Sequence, residues 1–119
     1  MKILELSATE LAKKIKAGEI TSEEAAKASL AQIAKEDPKI HAYLTVDEEK
    51  VLAQAREVEE GIRAGKYTGP LAGVPIAVKD NICTKGMKTT CASKILENFV
   101  PTYTAEAVLN LEKAGAVIL

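Results

Sequence analysis

The chain is poor in the residue types that most often mark an active site. Only 3% of its 119 residues are aromatic, and tryptophan is absent, so a core has to rest on Leu, Ile, Val and Ala. With no second histidine, His41 indicates neither a zinc site nor a histidine-based triad. Cys83 and Cys91 lack the CxxC spacing of metal and redox sites, so free thiols in a reducing cytosol are expected.

An excess of charge and long apolar runs are also missing. The 16 basic and 17 acidic residues give a net charge of -1, which argues against a general nucleic-acid-binding surface. No stretch approaches the roughly 20 apolar residues of a membrane span, and the first residues carry no secretory signal. A hydrophobic content of 47% with 28% charged residues is typical of a globular chain. We therefore expect a cytoplasmic protein with no membrane partner.

The first part of the chain carries strong signals for helix starts. Residues 7–10 (Ser-Ala-Thr-Glu) and 21–24 (Thr-Ser-Glu-Glu) both have the form of a capping box. Gly18 is a suitable end for the first helix because glycine tolerates the left-handed conformation that follows a helix. Pro38 is expected to end the second helix, since a residue before proline avoids the helical region.

The rest of the chain alternates strand and helix patterns. A short half-buried strand is predicted over residues 40–46 and a third helix over roughly 47–64. A long connection without periodicity spans 82–101, and connections of this length are usually functional or held by other parts of a protein. The last helix is predicted over about 104–114, and residues 116–119 begin another strand.

These elements predict an α/β fold. A helical lobe over about residues 1–65 precedes the first strands of a mixed sheet over 66–119, in the order of a right-handed βαβ unit. Because the backbone groups of a bare apolar strand need partners, we expect residues 1–119 to be one portion of a single larger domain.

The most informative stretch is GPLAGVPIAVKDN, residues 69–81. It begins with glycine and proline turn signals and continues as an apolar strand over 74–78. Lys79, Asp80 and Asn81 follow directly after the strand. In open α/β sheets, ligands and chemistry lie where strands end. The competing interpretation is that Lys79 simply marks where the strand reaches water.

Other candidate residues point less clearly to chemistry. The chain's serines lie at helix starts, within a helix or in the long connection, where backbone hydrogen bonding is the simpler role: Ser7, Ser22, Ser29 and Ser93. The stretch Gly86-Met87-Lys88-Thr89 ends like a phosphate-binding loop but lacks the upstream glycine and the adjacent Gly-Lys pair. Both cysteines fit packed thiols better than nucleophiles.

The stretch GPLAGVPIAVKDNICTKGMKTTCASKILENFVPTYTA, residues 69–105, resembles the amidase signature family. KGMKTTCASKILENF (85–99) and LSATELAKKIKAGEITSEEAAKA (6–28) narrow the resemblance to the branch that supplies ammonia in glutamyl-tRNA(Gln) amidotransferases. The resemblance covers essentially the whole chain, but members are several times longer. The glycine- and serine-rich segment that characterises the family has no counterpart before Leu119.

The resemblance implies a mechanism with a serine nucleophile, a second serine in a cis peptide and a lysine, which is Lys79. A lysine that acts as a base must lose its proton, and two features favour that loss. The preceding apolar strand would bury the ammonium, and Lys85, Lys88 and Lys94 would repel it. Asp80 is expected to point elsewhere and to fix the loop through backbone donors. Both serines are missing here, so residues 1–119 alone should not hydrolyse amides.

The resemblance also implies partners. The longer protein would hydrolyse glutamine and pass ammonia to other subunits, which would convert Glu-tRNA(Gln) to Gln-tRNA(Gln). ATP, magnesium and tRNA would be handled by a partner subunit, and no cofactor or metal is expected in this chain. A stand-alone amidase of the same family remains open, as does a non-catalytic module that docks through its N-terminal helices.

Overall fold

Three helices precede a pair of short strands, and a fourth helix connects those strands. The computed structural model describes residues 2–119, and single turns of 3-10 helix occur at Ile3–Glu5 and Lys94–Leu96. The longer elements, in chain order, are α1 (Ala8–Lys16), α2 (Ser22–Ile40), α3 (Glu48–Arg63), β1 (Pro75–Ile76), α4 (Glu106–Lys113) and β2 (Val117–Ile118). β1 and β2 pair in parallel. The predicted α/β class is therefore confirmed as helices with a small parallel sheet.

Both predicted capping boxes are present. The Ser7 hydroxyl accepts a hydrogen bond from the Glu10 N–H at 3.3 Å, and the Glu10 carboxylate accepts one from the Ser7 N–H at 2.9 Å. Thr21 and Glu24 repeat this exchange at 3.0 and 2.7 Å. These pairs satisfy backbone donors that the first helical turn leaves free, which fixes where α1 and α2 begin.

The prediction that Pro38 ends the second helix is wrong. α2 continues through Pro38 to Ile40, because a proline in the last turn costs only one of the final backbone hydrogen bonds. The helix ends instead at His41, which has a φ of 56° and donates its N–H to the Asp37 carbonyl at 2.7 Å. This left-handed residue performs the role usually given to glycine.

The strand predicted over residues 40–46 is also absent. Ile40 belongs to α2, and residues 41–46 form an irregular segment. The Asp37 carboxylate accepts hydrogen bonds from the Ala42 and Tyr43 N–H groups, the former at 2.7 Å. A side chain therefore satisfies donors that strand pairing would otherwise have used, which removes the need for a ladder.

The apolar core consists of two clusters on either side of α2. The first lies between α2, α3 and β2, and contains Ala26, Leu30, Val51, Ala55, Val58, Val117 and Leu119. The second lies between α1, α2 and the start of the first strand, and contains Leu11, Ala12, Ile15, Ile20, Ala25 and Val74. Since neither cluster contains a buried aromatic residue, the predicted reliance on aliphatic side chains is confirmed. The sheet is thus attached to the helices through residues 74, 117 and 119.

The strand predicted over residues 74–78 pairs over only part of its length. The Val117 and Leu119 N–H groups donate to the Val74 and Ile76 carbonyls, both at 2.9 Å. In this register Pro75 lies opposite Val117 and Ile76 lies opposite Ile118, so the paired part of the strand is Pro75–Ile76. On the other side of β2, the Ile118 N–H donates to the Gln54 side chain at 3.0 Å. A residue of α3 therefore covers part of the sheet edge.

The turn before β1 is fixed by contacts with α1, α2 and the end of α4. Ser22 is fully buried and donates its hydroxyl to the Gly73 carbonyl at 3.1 Å. The Gly73 N–H donates to the Gly115 carbonyl at 2.8 Å, and Lys16 donates its ammonium to the Thr68 and Gly69 carbonyls, both at 3.1 Å. These bonds determine where β1 begins and hence where the residues after it lie.

Candidate active site

A cavity of about 370 Å³ lies beside the carboxyl end of β1. Its walls come from three parts of the chain: residues 42–45, residues 77–89 and Leu119. The polar lining side chains are Tyr43, Thr45, Lys79, Asp80, Thr84, Lys88 and Thr89. The cavity therefore lies where the end of a parallel strand is expected to present functional groups.

Lys79 lies in this cavity wall, three residues after β1. Its carbonyl accepts a hydrogen bond from the Ile82 N–H at 3.0 Å, which closes a turn. Its side chain is exposed, and among residues 2–119 it takes part in no ion pair. The expected burial of this ammonium after an apolar strand is not found here, because pairing ends at Ile76 and the chain leaves the sheet before Lys79.

The other lysines of the region are only partly brought together. Lys88 lines the same cavity as Lys79, whereas Lys85 and Lys94 are exposed and lie outside its walls. Of the three lysines expected to repel Lys79, only Lys88 therefore lines the same cavity. Lys50, on α3, also approaches the connection and donates its ammonium to the Gly86 carbonyl at 3.0 Å.

Asp80 turns away from Lys79 and fixes the long connection, as predicted. Its carboxylate accepts hydrogen bonds from the Thr90 N–H at 2.8 Å, from the Ala92 N–H at 3.2 Å and from the Thr90 hydroxyl. Burial raises the pKa of this carboxyl, but the bonds from Thr90 and Ala92 outweigh burial and hold the pKa below its ordinary value. The Asp80 carbonyl also accepts the Cys91 N–H at 2.9 Å.

The connection between β1 and α4 is irregular but internally bonded. The Thr89 N–H donates to the Phe99 carbonyl at 3.0 Å, and the Ala105 N–H donates to the Cys83 carbonyl at 2.8 Å. Cys91 and Ala92 both have positive φ values, 49° and 55°, which non-glycine residues rarely adopt. The segment opposite Asp80 is therefore strained and held by specific bonds, not by a regular element.

The serines are placed as the sequence predicted, and none lines the cavity. Ser7 caps α1, Ser22 is buried against Gly73, and Ser29 donates to the Ala25 carbonyl at 3.1 Å inside α2. The Ser93 N–H donates to the Thr90 carbonyl at 2.8 Å. The described residues thus supply a lysine to the site without a serine nucleophile.

The remaining candidates have structural roles. His41 ends α2, and the Cys83 thiol approaches the Tyr103 hydroxyl at 3.5 Å. Residues 86–89 form part of a turn in which the Met87 N–H donates to the Thr84 carbonyl at 3.1 Å.

Within the part of the chain that the structure describes, no group of three or more ligating side chains could hold a metal ion. Among residues 2–119, no helix is both long enough and apolar enough to cross a membrane.

Sequence reasoning missed Thr90 and the strained pair that follows it. Thr90 lies ten residues from Asp80, and neither Cys91 nor Ala92 is a residue type that signals a left-handed turn. The only available signal was the aspartate directly after a strand, which indicated backbone donors without identifying them. Tyr43 and Thr45 were missed because residues 40–46 were assigned to a strand.

Comparison with known proteins identifies the family of the chain. A family model described as "Amidase" matches residues 24–119. This chain belongs to the amidase family. The match includes β1, the whole cavity wall after it and β2, so the membership covers the site as well as the fold.

The amidase relatives are considerably longer than this chain. It is 60% identical over all 119 residues to the A subunit of glutamyl-tRNA(Gln) amidotransferase from Lachnospira eligens, and 56% identical to the protein of the same name from Agathobacter rectalis. It spans 25% and 24% of the length of these proteins. Native peptide amidase from Stenotrophomonas maltophilia matches with a TM-score of 0.90 at 35% identity, over 97% of this chain and 24% of the amidase.

Proposed function

We propose that this chain is the N-terminal part of the subunit that releases ammonia from glutamine in a glutamyl-tRNA(Gln) amidotransferase. The observation that carries the proposal is the 60% identity, over all 119 residues, to the amidotransferase protein of Lachnospira eligens. Identity to the peptide amidase is 35% over 97% of the chain. This difference favours the amidotransferase over a stand-alone amidase.

Lys79 is the residue of this chain that we assign to the chemistry. In the proposed mechanism it is the base at the far end of a relay of two serines, and it returns the proton to the leaving ammonia. Its position in the wall of the cavity after β1 supports this role, as does its freedom from ion pairs among residues 2–119. Both serines and the oxyanion donors belong to parts of the protein outside these 119 residues.

The exposure of Lys79 sets a requirement for the complete protein. A base has to be neutral, and removal of water from around an ammonium favours the neutral form. The walls formed by residues 42–45, 77–89 and Leu119 leave the lysine open to solvent. The remainder of the amidase domain would therefore have to cover this cavity and bring the serines to it.

The partners follow from the same assignment. Ammonia would pass to another subunit of the complex, which would use ATP and magnesium to convert Glu-tRNA(Gln) to Gln-tRNA(Gln) in the cytoplasm. The tRNA would be contacted through that subunit, in keeping with the net charge of -1 of this chain. The described residues contain no convincing recognition group for glutamine, so substrate selection would depend on the rest of the protein.

The proposal is tested by reconstituting the full-length subunit with its partner subunits and measuring Gln-tRNA(Gln) formed from Glu-tRNA(Gln), ATP and glutamine. The matched control is residues 1–119 alone, which should release no glutamate from glutamine. Product formation that requires both the subunit and its partners supports the assignment. Hydrolysis of simple amides without partners, and no Gln-tRNA(Gln) with them, would favour the stand-alone amidase instead.

A further inference from the structure

Asp80 is more heavily engaged than any other carboxylate near the cavity. One carboxylate oxygen accepts the Thr90 N–H at 2.8 Å, and the other accepts the Ala92 N–H at 3.2 Å together with the Thr90 hydroxyl. Its carbonyl accepts the Cys91 N–H at 2.9 Å. Four bonds thus join the residue after Lys79 to residues 90–92, which lie on the far side of the connection.

This group of bonds, which we name the Asp80 clasp, opposes a local backbone cost. Cys91 and Ala92 lie in the left-handed region, which is unfavourable for residues other than glycine. Such a conformation persists only where its surroundings enforce it, and Asp80 accepts a hydrogen bond from each of residues 90–92. Hydrogen bonds to an ionised carboxylate are stronger than bonds to a neutral amide. The negative charge of Asp80 is therefore used to hold the connection and not to form an ion pair with Lys79.

The clasp acts directly on the backbone that carries Lys79. Among residues 2–119, the Lys79 side chain is exposed and makes no hydrogen bond or ion pair, so polar side-chain contacts do not fix its direction. The Lys79 carbonyl is fixed by Ile82, and the next residue is fixed by the clasp. A long lysine side chain has considerable rotamer freedom, so the direction of its Cα–Cβ bond determines where the amine can reach.

We propose that Asp80 is the positioning residue for Lys79: by clasping residues 90–92 it fixes the backbone from which the lysine reaches the reacting serines. This inference rests on the proposed function. A catalytic group displaced by 1 Å can cost about 100-fold in rate. Loss of the clasp should therefore lower kcat for glutamine hydrolysis while changing KM little, because the Asp80 carboxylate is occupied by Thr90 and Ala92.

The test compares variants of the full-length subunit within its reconstituted complex. Asp80→Asn keeps the shape of the side chain but replaces one carboxylate oxygen with an amide N–H₂, which cannot accept the hydrogen bonds of Thr90 or Ala92. We therefore expect kcat with glutamine to fall by about 10- to 100-fold. Ammonium-dependent Gln-tRNA(Gln) formation and complex assembly should remain at the wild-type level. The control is Glu97→Gln, an equivalent change at an exposed carboxylate of the same connection, which should leave both reactions unchanged.

Thr90 provides a second route if Asp80→Asn fails to assemble. Thr90→Val removes only the hydroxyl donor, whereas Thr90→Ser retains it. We expect a lower kcat for the valine variant and wild-type behaviour for serine. Equal loss of the glutamine and ammonium reactions would indicate a purely structural role and overturn the inference, as would wild-type kcat in both Asp80→Asn and Thr90→Val.

Lys79→Ala, measured in parallel, separates this inference from the proposed function. An inactive Lys79→Ala subunit beside a fully active Asp80→Asn subunit would refute the clasp and leave the role of Lys79 intact. Normal glutamine use by Lys79→Ala would refute both, since a lysine without a catalytic role needs no positioning.

Discussion

At the scale of single residues, hydrogen bonds fix the chain on both sides of Lys79. Ser22 fixes the Gly73 carbonyl before β1, and Asp80 fixes residues 90–92 after it. The sequence predicted the character of the second contact, since an aspartate directly after a strand favours backbone donors. It did not predict Ser22, which reads as an ordinary residue at a helix start. Its partner lies 51 positions away, so only tertiary packing reveals the contact.

Gly73 offers a direct test of how the start of β1 is built. Its φ is +79°, and an added Cβ would lie 2.9 Å from the Ile15 Cγ2 atom and 3.3 Å from the Ser22 Cβ atom. We expect Gly73→Ala to lower the free energy of unfolding by about 2–4 kcal/mol, the sum of backbone strain and crowding. The measurement is urea unfolding of the full-length protein.

Gly69→Ala is the matched control for that substitution. Gly69 lies four residues earlier, and its added Cβ would meet no atom within 4 Å. Its effect should remain within about 0.5 kcal/mol. If the two variants unfold at the same urea concentration, the close packing of this turn against α1 and α2 does not contribute to stability.

At the scale of elements, local signals predicted where α1 and α2 begin and where α1 ends, since Gly18 follows α1 with a φ of 75°, but they did not predict the end of α2. The capping boxes of α1 and α2 use side chains three residues apart, so the sequence contains the whole interaction. The end of α2 depends instead on His41 adopting a left-handed conformation and on Asp37 bonding beyond the helix. Histidine and aspartate do not by themselves indicate where a helix ends, and Pro38 suggested an earlier end for α2.

The contact between α2 and α3 includes an ion pair with a predictable response to pH. Arg56 donates two hydrogen bonds to Glu23, at 2.9 and 3.1 Å, and Lys27 lies 2.8 Å from the same carboxylate. Arg56, followed by Lys27, lowers the Glu23 pKa from 4.5 to about 2. Because the pKa is lowered on folding, the pair stabilises the protein above about pH 4.5 and loses its effect as pH falls toward 2.

The lowered pKa of Glu23 predicts how the stability of Glu23→Gln depends on pH. The variant should unfold at a lower denaturant concentration than wild type at pH 7, and the difference should shrink as pH falls from 4.5 toward 2. Glu57→Gln, at an exposed position of α3, should show no such pH-dependent difference. A difference between Glu23→Gln and wild type that is constant across this range would mean that the ion pair is not its source.

At the scale of the whole molecule, large apolar side chains remain exposed on the described residues. Ile95 is 94% exposed, and Leu44, Phe99 and Tyr103 are also exposed. The pairing of β1 with β2 and the contact from Gln54 protect part of the sheet edge, but they do not cover these side chains. Contiguous exposed apolar surface favours association.

We therefore expect isolated residues 1–119 to associate in dilute solution. Sedimentation velocity over a range of concentrations measures this directly, and the double variant Ile95→Lys with Phe99→Lys should associate less. A monomeric wild-type chain that unfolds cooperatively would contradict the expectation. It would also indicate that these residues form a complete folding unit, contrary to the prediction that they are one portion of a larger domain.

The fold class was predictable because it depends on apolar periodicity, whereas Lys79 was singled out by the resemblance of residues 69–81 to a known family, since the short-range pattern left its role open. The surroundings of Lys79 were not predictable. Lys79 lies exposed three residues beyond the end of β1, and the walls of its cavity include residues 42–45 and 82–89, which have no regular structure. Irregular segments are set by side-chain bonds between distant residues, and such bonds leave no period in the sequence.

The central claim is that Lys79 is the base for glutamine hydrolysis. It predicts that Lys79 variants lose the reaction that uses glutamine and keep the reaction that uses ammonium. Removal of the amine eliminates general base catalysis, worth about 10²–10⁴-fold alone and more within a catalytic unit. Lys79→Arg should be nearly as damaging, because a guanidinium does not deprotonate near neutral pH. Lys85→Ala, at an exposed lysine outside the cavity wall, is the control and should have a far smaller effect.

The most direct measurement is Gln-tRNA(Gln) formation by the reconstituted complex containing Lys79→Ala, with glutamine or with ammonium as the nitrogen donor. We predict no product from glutamine and near wild-type product from ammonium, since only the release of ammonia is lost. Normal product formation from glutamine would contradict the catalytic role of Lys79. Loss of product with both donors would show instead that the substitution disrupts the structure of the complex.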